Sequence, residues 1–227
     1  TIFSKKIGKF AAMARGAKKP RSRMAAVTQP FILGQFFVYI NRGLSTIQQG
    51  KVIDSFRPIR EDIEKTAYTT YLIELTEKLL DEKTPAPYLY EQLLYTMRRI
   101  AAYDEYRVPV MMYELKAFHK GGFQPTLTHC IRCGNTDGSF SFSIAEGGLL
   151  CNRCRMLDEG SIPLSTVQVK LLQLFQSVGI DKVGDISVKQ ENIQLLRQIL
   201  DAYYDRYGGY HLKSKKFLNQ LDRLKGN

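Results

Sequence analysis

Two hydrophobic periods divide the chain, and they meet near Phe56. Before it, apolar residues come in short runs suited to strands. PFILGQFFVYI, residues 30–40, is dense in aromatic and β-branched side chains. Asn41-Arg42-Gly43 supplies a turn, and LSTIQQGKVIDSF carries one or two further short strands. ARGAKKPRSRM, punctuated by Gly and Pro, reads as a loop. After Phe56 the period lengthens. Ile63, Ala67, Tyr71, Leu75 and Leu79 recur every four residues, with Leu72 on the same face, so REDIEKTAYTTYLIELTEKLL reads as one amphipathic helix. Pro85 and Pro87 end it. A second helix carries Leu89, Leu93, Met97 and Ile100, and a third carries Met111, Leu115 and Phe118 before Gly121-Gly122. Two later helices each open on a capping-box pattern, Ser165-x-x-Gln168 and Ser187-x-x-Gln190. Gly208-Gly209 closes the second, and HLKSKKFLNQLDRL adds a basic tail helix.

The third and fourth of these helices are separated by CIRCGNTDGSFSFSIAEGGLLCNRC, which holds all four cysteines of the chain. Cys130-x-x-Cys133 and Cys151-x-x-Cys154 stand 17 residues apart, within the spacing of a four-cysteine zinc site. Each CxxC turn aims two thiolates at one point, and Gly134 permits the backbone turn behind the first pair. Phe140, Phe142 and Ile144 alternate with serines as a one-sided strand, and Glu146-Gly147-Gly148 turns it back, so a hairpin brings the pairs together. Four thiolates leave no open coordination position, which points to structure and not to water activation. A thioredoxin-like motif uses one CxxC in a βαβ setting and does not fit. His129, beside Cys130, reads as a surface residue because four cysteines already complete a ligand set.

Motifs for nucleotide or hydrolytic chemistry are missing: no GxxxxGK[ST], HExxH or GxSxG is present, and the three histidines lie near no triad pattern. Nothing here argues for an enzyme. No apolar run is long enough to span a bilayer, and the first residues lack the apolar core of a signal peptide. Clustered CxxC pairs suit a reducing compartment.

Charge sharpens the picture. The net charge is +11, and residues 1–53 hold ten Lys or Arg and not one Asp or Glu. The rest of the chain is close to neutral. Such a segregation favours a polyanionic partner. Lys9, Arg15, Lys18, Lys19, Arg21 and Arg23 concentrate it, with Phe10, Phe31, Phe36, Phe37 and Tyr39 nearby as core residues or base-stacking surfaces. Lys213, Lys215, Lys216 and Arg223 form a weaker second patch.

GKFAAMARGAKKPRSRMAAVTQPF, STIQQG, IREDI at a helix start, the CxxC-x17-CxxC insert and YHLKSKKFL together resemble the RecO family of bacterial recombination mediators, over almost the whole chain. The resemblance implies an α+β protein: an oligonucleotide/oligosaccharide-binding (OB) barrel at residues 1–56, then a mainly helical domain at 57–227 with a zinc-finger insert at about 126–160. An OB barrel takes about five strands, and residues 1–56 supply three or four, so the expectation is a barrel truncated at its N-terminus. The resemblance also implies a non-enzymatic role. Such a protein binds single- and double-stranded DNA and anneals complementary strands. With RecR it loads RecA onto strands covered by single-strand-binding protein, whose acidic C-terminal tail is a further partner. It works in the cytoplasm, at the nucleoid, with no membrane contact. In this reading Lys9, Arg15, Lys18, Lys19, Arg21 and Arg23 hold DNA, and Cys130, Cys133, Cys151 and Cys154 hold one structural Zn²⁺. The alternative is a zinc-stapled adaptor for acidic protein tails with little direct DNA contact.

Overall fold

The computed structural model describes residues 1–19, 22–184 and 187–225. The chain is mixed α+β and packs as two compact units: Thr1–Asp104 joined by the chain from Leu212 onward, and Glu105–His211. The packing boundary near residue 104 and the change of hydrophobic period near position 56 thus fall at different places in the chain.

In the first unit, β1 (Ile2–Ser4) and β2 (Gly8–Phe10) form an antiparallel hairpin. β3 (Ala12–Ala14) follows, then the short helix α1 (Arg23–Val27), β4 (Leu33–Tyr39) and β5 (Ser45–Asp54). These last three strands make a separate sheet of order β3-β5-β4, with β3 parallel and β4 antiparallel to β5. Five strands thus stand where three or four were expected, the short pieces β1 to β3 being too brief to show a hydrophobic period. LSTIQQGKVIDSF yields one long strand. Part of the expected loop is helical: Ser22 caps α1 by accepting from the Met24 amide at 3.1 Å.

The single helix expected after Phe56 is two, α2 (Arg57–Glu61) and α3 (Ile63–Leu79). Asp62 is extended and breaks them, its carboxylate accepting from the amides of Glu64 at 2.8 Å and Lys65 at 2.9 Å. Proline at the first turn opens α4 (Pro87–Ala102). Tyr68, Tyr71, Leu72 and Leu75 of α3 are sealed, but Ile63, the first member of the expected apolar face, is 64% exposed.

The second unit is organised on α5 (Arg107–Lys120), in which every residue from Val108 to Phe118 is buried. The three apolar positions read from the sequence understate it, because this helix is covered all round. Two of its buried residues are charged. Glu114 meets Arg197 at 2.5 Å, and the Lys116 ammonium donates to the Phe175 carbonyl at 2.8 Å. Burial pulls the Lys116 pKa down to about 8.

Two helices of this unit pack on α5, and a three-stranded sheet belongs to the same unit. The sheet holds β6 (Phe140–Ser143), β7 (Gly148–Cys151) and β8 (Ile162–Leu164), in the order β7-β6-β8. The helices are α6 (Thr166–Ser177), which carries Phe175, and α7 (Gln190–Tyr207), which carries Arg197. The Ser165–Gln168 capping box forms as expected. The Ser187–Gln190 box does not: Lys189 caps α7, and its carbonyl receives the Asn192 and Ile193 amides at 3.0 and 3.1 Å. The helix therefore begins at the residue that was to be its third.

The last helix, α8 (Lys213–Lys225), returns to the first unit and packs on α3. Glu74 of α3 accepts from the Lys213 amide at 3.1 Å and the Ser214 amide at 2.9 Å, as well as from the Ser214 hydroxyl. It supplies the cap that the first amides of α8 require. Burial pushes the Glu74 pKa up, but these hydrogen bonds from Ser214 and Lys213 outweigh it and hold the carboxyl below its ordinary value of 4.5.

These partnered charges generate two predictions. Arg197→Met removes the ion pair of the buried Glu114 and lowers the unfolding free energy by about 3–5 kcal/mol, while the double change with Glu114→Leu restores most of the loss; denaturant titration checks both. Because the Glu74 pKa is depressed on folding, its contribution is present above about pH 4.5 and is lost as pH falls through the folded value. Glu74→Gln is therefore less stable than wild type at neutral pH, and the difference closes on acidification.

Candidate functional site

Two features carry chemistry, one in each unit. In the second, β7 ends at Cys151, and a 3-10 turn begins at Cys154 and runs to Leu157. Pairing of β6 with β7 sets Phe140 opposite Cys151. The first cysteine pair is held against this hairpin by the Ile131 amide, which donates to the Leu149 carbonyl at 2.8 Å. The turn itself closes when the Gly134 amide reaches the Cys130 carbonyl at 2.8 Å, with Gly134 at φ +75°. That left-handed angle suits glycine.

The four sulfurs of Cys130, Cys133, Cys151 and Cys154 lie within 4.8 Å of one another. Cys133 and Cys151 sulfurs stand 3.7 Å apart. A disulfide needs about 2.05 Å, whereas thiolates about 2.3 Å from a tetrahedral zinc sit roughly 3.8 Å apart. The donor set therefore fits zinc. Cys130 is fully buried, and Cys133 is the exposed member. Burial pushes the Cys130 thiol up, but N–H donors of Cys151, Cys133 and Arg132 outweigh it and bring its pKa down to about 6. Cys154 is pushed up to about 12, first by its hydrogen bond with Cys133. Crowded thiols resist ionising together, and a divalent cation is what relieves that repulsion.

The hairpin differs from its expected form in one respect. All of β6 is buried, serines included, so it is not one-sided. Phe142 packs edge-on to Tyr203 at 5.9 Å, and Ser143 is held by Asp158 and the Glu146 amide. β8 pairs with the far edge of β6 and was not expected. His129 is exposed, bonds Thr128 at 2.9 Å, and stands outside the sulfur cluster.

In the first unit the acid-free segment resolves into cations with different duties. Lys5 is paired with Glu91 at 2.5 Å. Lys9 is half-buried, and its ammonium donates to the Glu77 carbonyl at 2.6 Å, in the last turn of α3. Arg15, Lys18 and Lys19 are exposed on the turn after β3, as are Lys6, Arg42 and Lys51 elsewhere. Among the described residues none of these six forms an ion pair. Arg21 lies outside the described residues, and so do the side chains of Arg23 and Arg223. Lys213 and Lys216 are exposed on α8, but Lys215 is buried.

The named aromatics separate just as clearly. Phe10 is core, Phe31 and Phe36 are half-buried, and Phe37 and Tyr39 are 61% and 59% exposed. The alternation along β4 was the signal that set these two apart from Phe36.

Comparison with known proteins gives this arrangement a context. The family description "Recombination protein O N terminal" matches residues 1–56, and "Recombination protein O C terminal" matches residues 60–216. A DNA repair protein RecO of Oceanobacillus iheyensis is 59% identical over 222 residues, 98% of this chain and 86% of that protein. Proteins of the same name from Bacillus pumilus and Listeria monocytogenes are each 42% identical, over 99% and 98% of this chain and 88% and 87% of their own lengths. The class is therefore one of DNA repair and recombination. Within it, the chain belongs to the RecO family. No described helix is long and apolar enough to cross a membrane.

Proposed function

We propose that the chain is a non-enzymatic recombination mediator that binds single- and double-stranded DNA through its first unit. The observation that carries this reading is the exposed turn of Arg15, Lys18 and Lys19, unpaired among the described residues, in a segment without a single carboxylate side chain. Solvated cations of this kind are free to replace the counterions of a phosphate backbone. Arg21 and Arg23 belong to the same basic run, whereas Lys9 is already committed to the end of α3. Neutralising two strands on one surface lowers their repulsion and promotes annealing. The family resemblance extends this to RecA loading with RecR on strands covered by single-strand-binding protein, in the cytoplasm at the nucleoid.

In this reading Cys130, Cys133, Cys151 and Cys154 hold one structural zinc, supported by the fit of their spacing. A bound zinc would cross-link the two CxxC turns and leave no position for catalysis.

A second reading draws on α8, where Phe217 is 44% exposed beside exposed Lys213 and Lys216. That surface suits an acidic peptide, such as the tail of single-strand-binding protein. Binding of an acidic peptide without measurable DNA affinity would make this the principal activity.

Lys18→Glu/Lys19→Glu should weaken binding to single-stranded DNA and make the log–log salt dependence shallower by about 1.4, for two lost phosphate contacts at ~0.7 each. An unchanged slope removes the turn from the DNA site. Metal analysis should find one zinc per chain. Cys133→Ser should lose zinc and melt earlier while retaining DNA contact, so a stably folded variant that fails to bind DNA contradicts a purely structural metal.

A further inference from the structure

The outer face of β4 and β5 has a composition that folding does not explain. On a sheet with one solvated face, outward positions are ordinarily polar. Here the inward residues of β4 are Gly34, Phe36 and Val38, and the outward ones are Gln35, Phe37 and Tyr39. The register carries the outward face across the sheet. Gln35 stands opposite Lys51, Phe37 opposite Gln49, and Tyr39 opposite Thr46, which in turn faces Met13 on β3. The ladder slips between Phe37 and Val38, leaving Gln48 as an extra residue. Phe37 and Tyr39 nevertheless keep the same outward direction, with ring centroids 5.7 Å apart at 72°.

Two aromatic rings, each more than half exposed, thus sit side by side on a strand in the acid-free segment. Cations border them: Lys51 lies on the same face, Arg15 directly follows β3, and Arg42 lies in the turn beyond Tyr39. Every outward side chain named is aromatic, neutral or cationic. Apolar docking to a second protein would use the rings, but it would not call for cations with no acidic neighbour on the face. A single-stranded nucleic acid uses both, bases on the rings and phosphates on the cations. The spacing fits as well. Two residues along a strand advance about 6.8 Å, far enough for each ring to receive its own base from an extended strand.

We infer that Phe37 and Tyr39 form a base-stacking platform for single-stranded nucleic acid, flanked by phosphate contacts from Lys51, Arg15 and Arg42. The inference rests on the DNA-binding reading above and adds to it a preference: the platform takes unpaired bases, while the basic turn takes backbones of any kind. Duplex DNA keeps its bases stacked and gains nothing from the rings.

The test uses the full chain and two probes, oligo(dT) and a duplex, with 2-aminopurine placed in a single strand to report stacking. Phe37→Ala/Tyr39→Ala should weaken oligo(dT) binding about tenfold for each ring, abolish the ring-dependent change in 2-aminopurine fluorescence, and leave duplex affinity and salt slope within about twofold. Phe37→Leu/Tyr39→Leu keeps apolar bulk without rings; it should fail on the same single-strand readouts while melting like wild type. If either double variant binds oligo(dT) with unchanged affinity, the platform is overturned and the face belongs to a protein partner. Equal losses on single strand and duplex also overturn it, because the rings would then only support the basic turn. Failure of the underlying reading looks different: Lys18→Glu/Lys19→Glu would leave the salt slope unchanged whatever the rings do.

Discussion

A helix that is covered on every side must answer for each charge it carries, and α5 carries two. Glu114 is fully buried and Lys116 nearly so. Neither would survive there ionised and alone, since the desolvation penalty is several kcal/mol per charge. Their partners set the positions of the neighbouring helices. Arg197 of α7 bridges Glu114 and, through two further hydrogen bonds at 3.0 and 3.1 Å, Asp201 of its own helix. Lys116 reaches a carbonyl in the last turn of α6. Apolar packing alone would let these helices slide along α5. The polar contacts define a register, so the second unit has one arrangement that satisfies its own core.

The two units solve different problems with the same residue types. In the second, Arg197 and Lys116 are turned inward onto a carboxylate and a helix end, and the four sulfurs converge at a short hairpin. In the first, the N-terminal cations are mostly turned outward, with no ion pair among the described residues to neutralise them. Lys5 and Lys9 show what partnered cations look like there: one meets Glu91, the other a helix carbonyl. Against that background the solvated state of Arg15, Lys18 and Lys19 is a property of the surface and not a default of lysine or arginine.

The sequence was most legible where signals are local. The cysteine spacing, the hairpin between the pairs and the Ser165 capping box each depend on residues within a short stretch, and each stands in the structure. Element boundaries set by distant contacts were less legible. Ile63 fits the period of α3 but lies at the solvated start of the helix, and Asp62, inside the stretch read as one helix, breaks α2 from α3. The total burial of α5 could not be read from its pattern, because Glu114 and Lys116 look like solvent-facing residues until Arg197 and Phe175 are brought to them. β8 is only three residues long and contains Pro163, so neither length nor propensity announces it. For the candidate site, the basic turn was visible as charge, but the separation of Lys9 from its neighbours required the end of α3. The alternation along β4 separates Phe37 and Tyr39 from Phe36, and the packing of the unit decides which of the two faces is solvated.

The return of α8 to α3 has a consequence for how the molecule is made. The first unit contains the beginning and the end of the chain, and the whole second unit lies between them in sequence. Glu74 waits for Lys213 and Ser214 until the intervening second unit has been synthesised. During translation the second unit is complete before the first, so the emerging chain carries α3 with one flank bare until α8 appears. Completion of the first unit thereby waits on synthesis of the second, and a chain broken off before Lys213 lacks the helix that packs on α3.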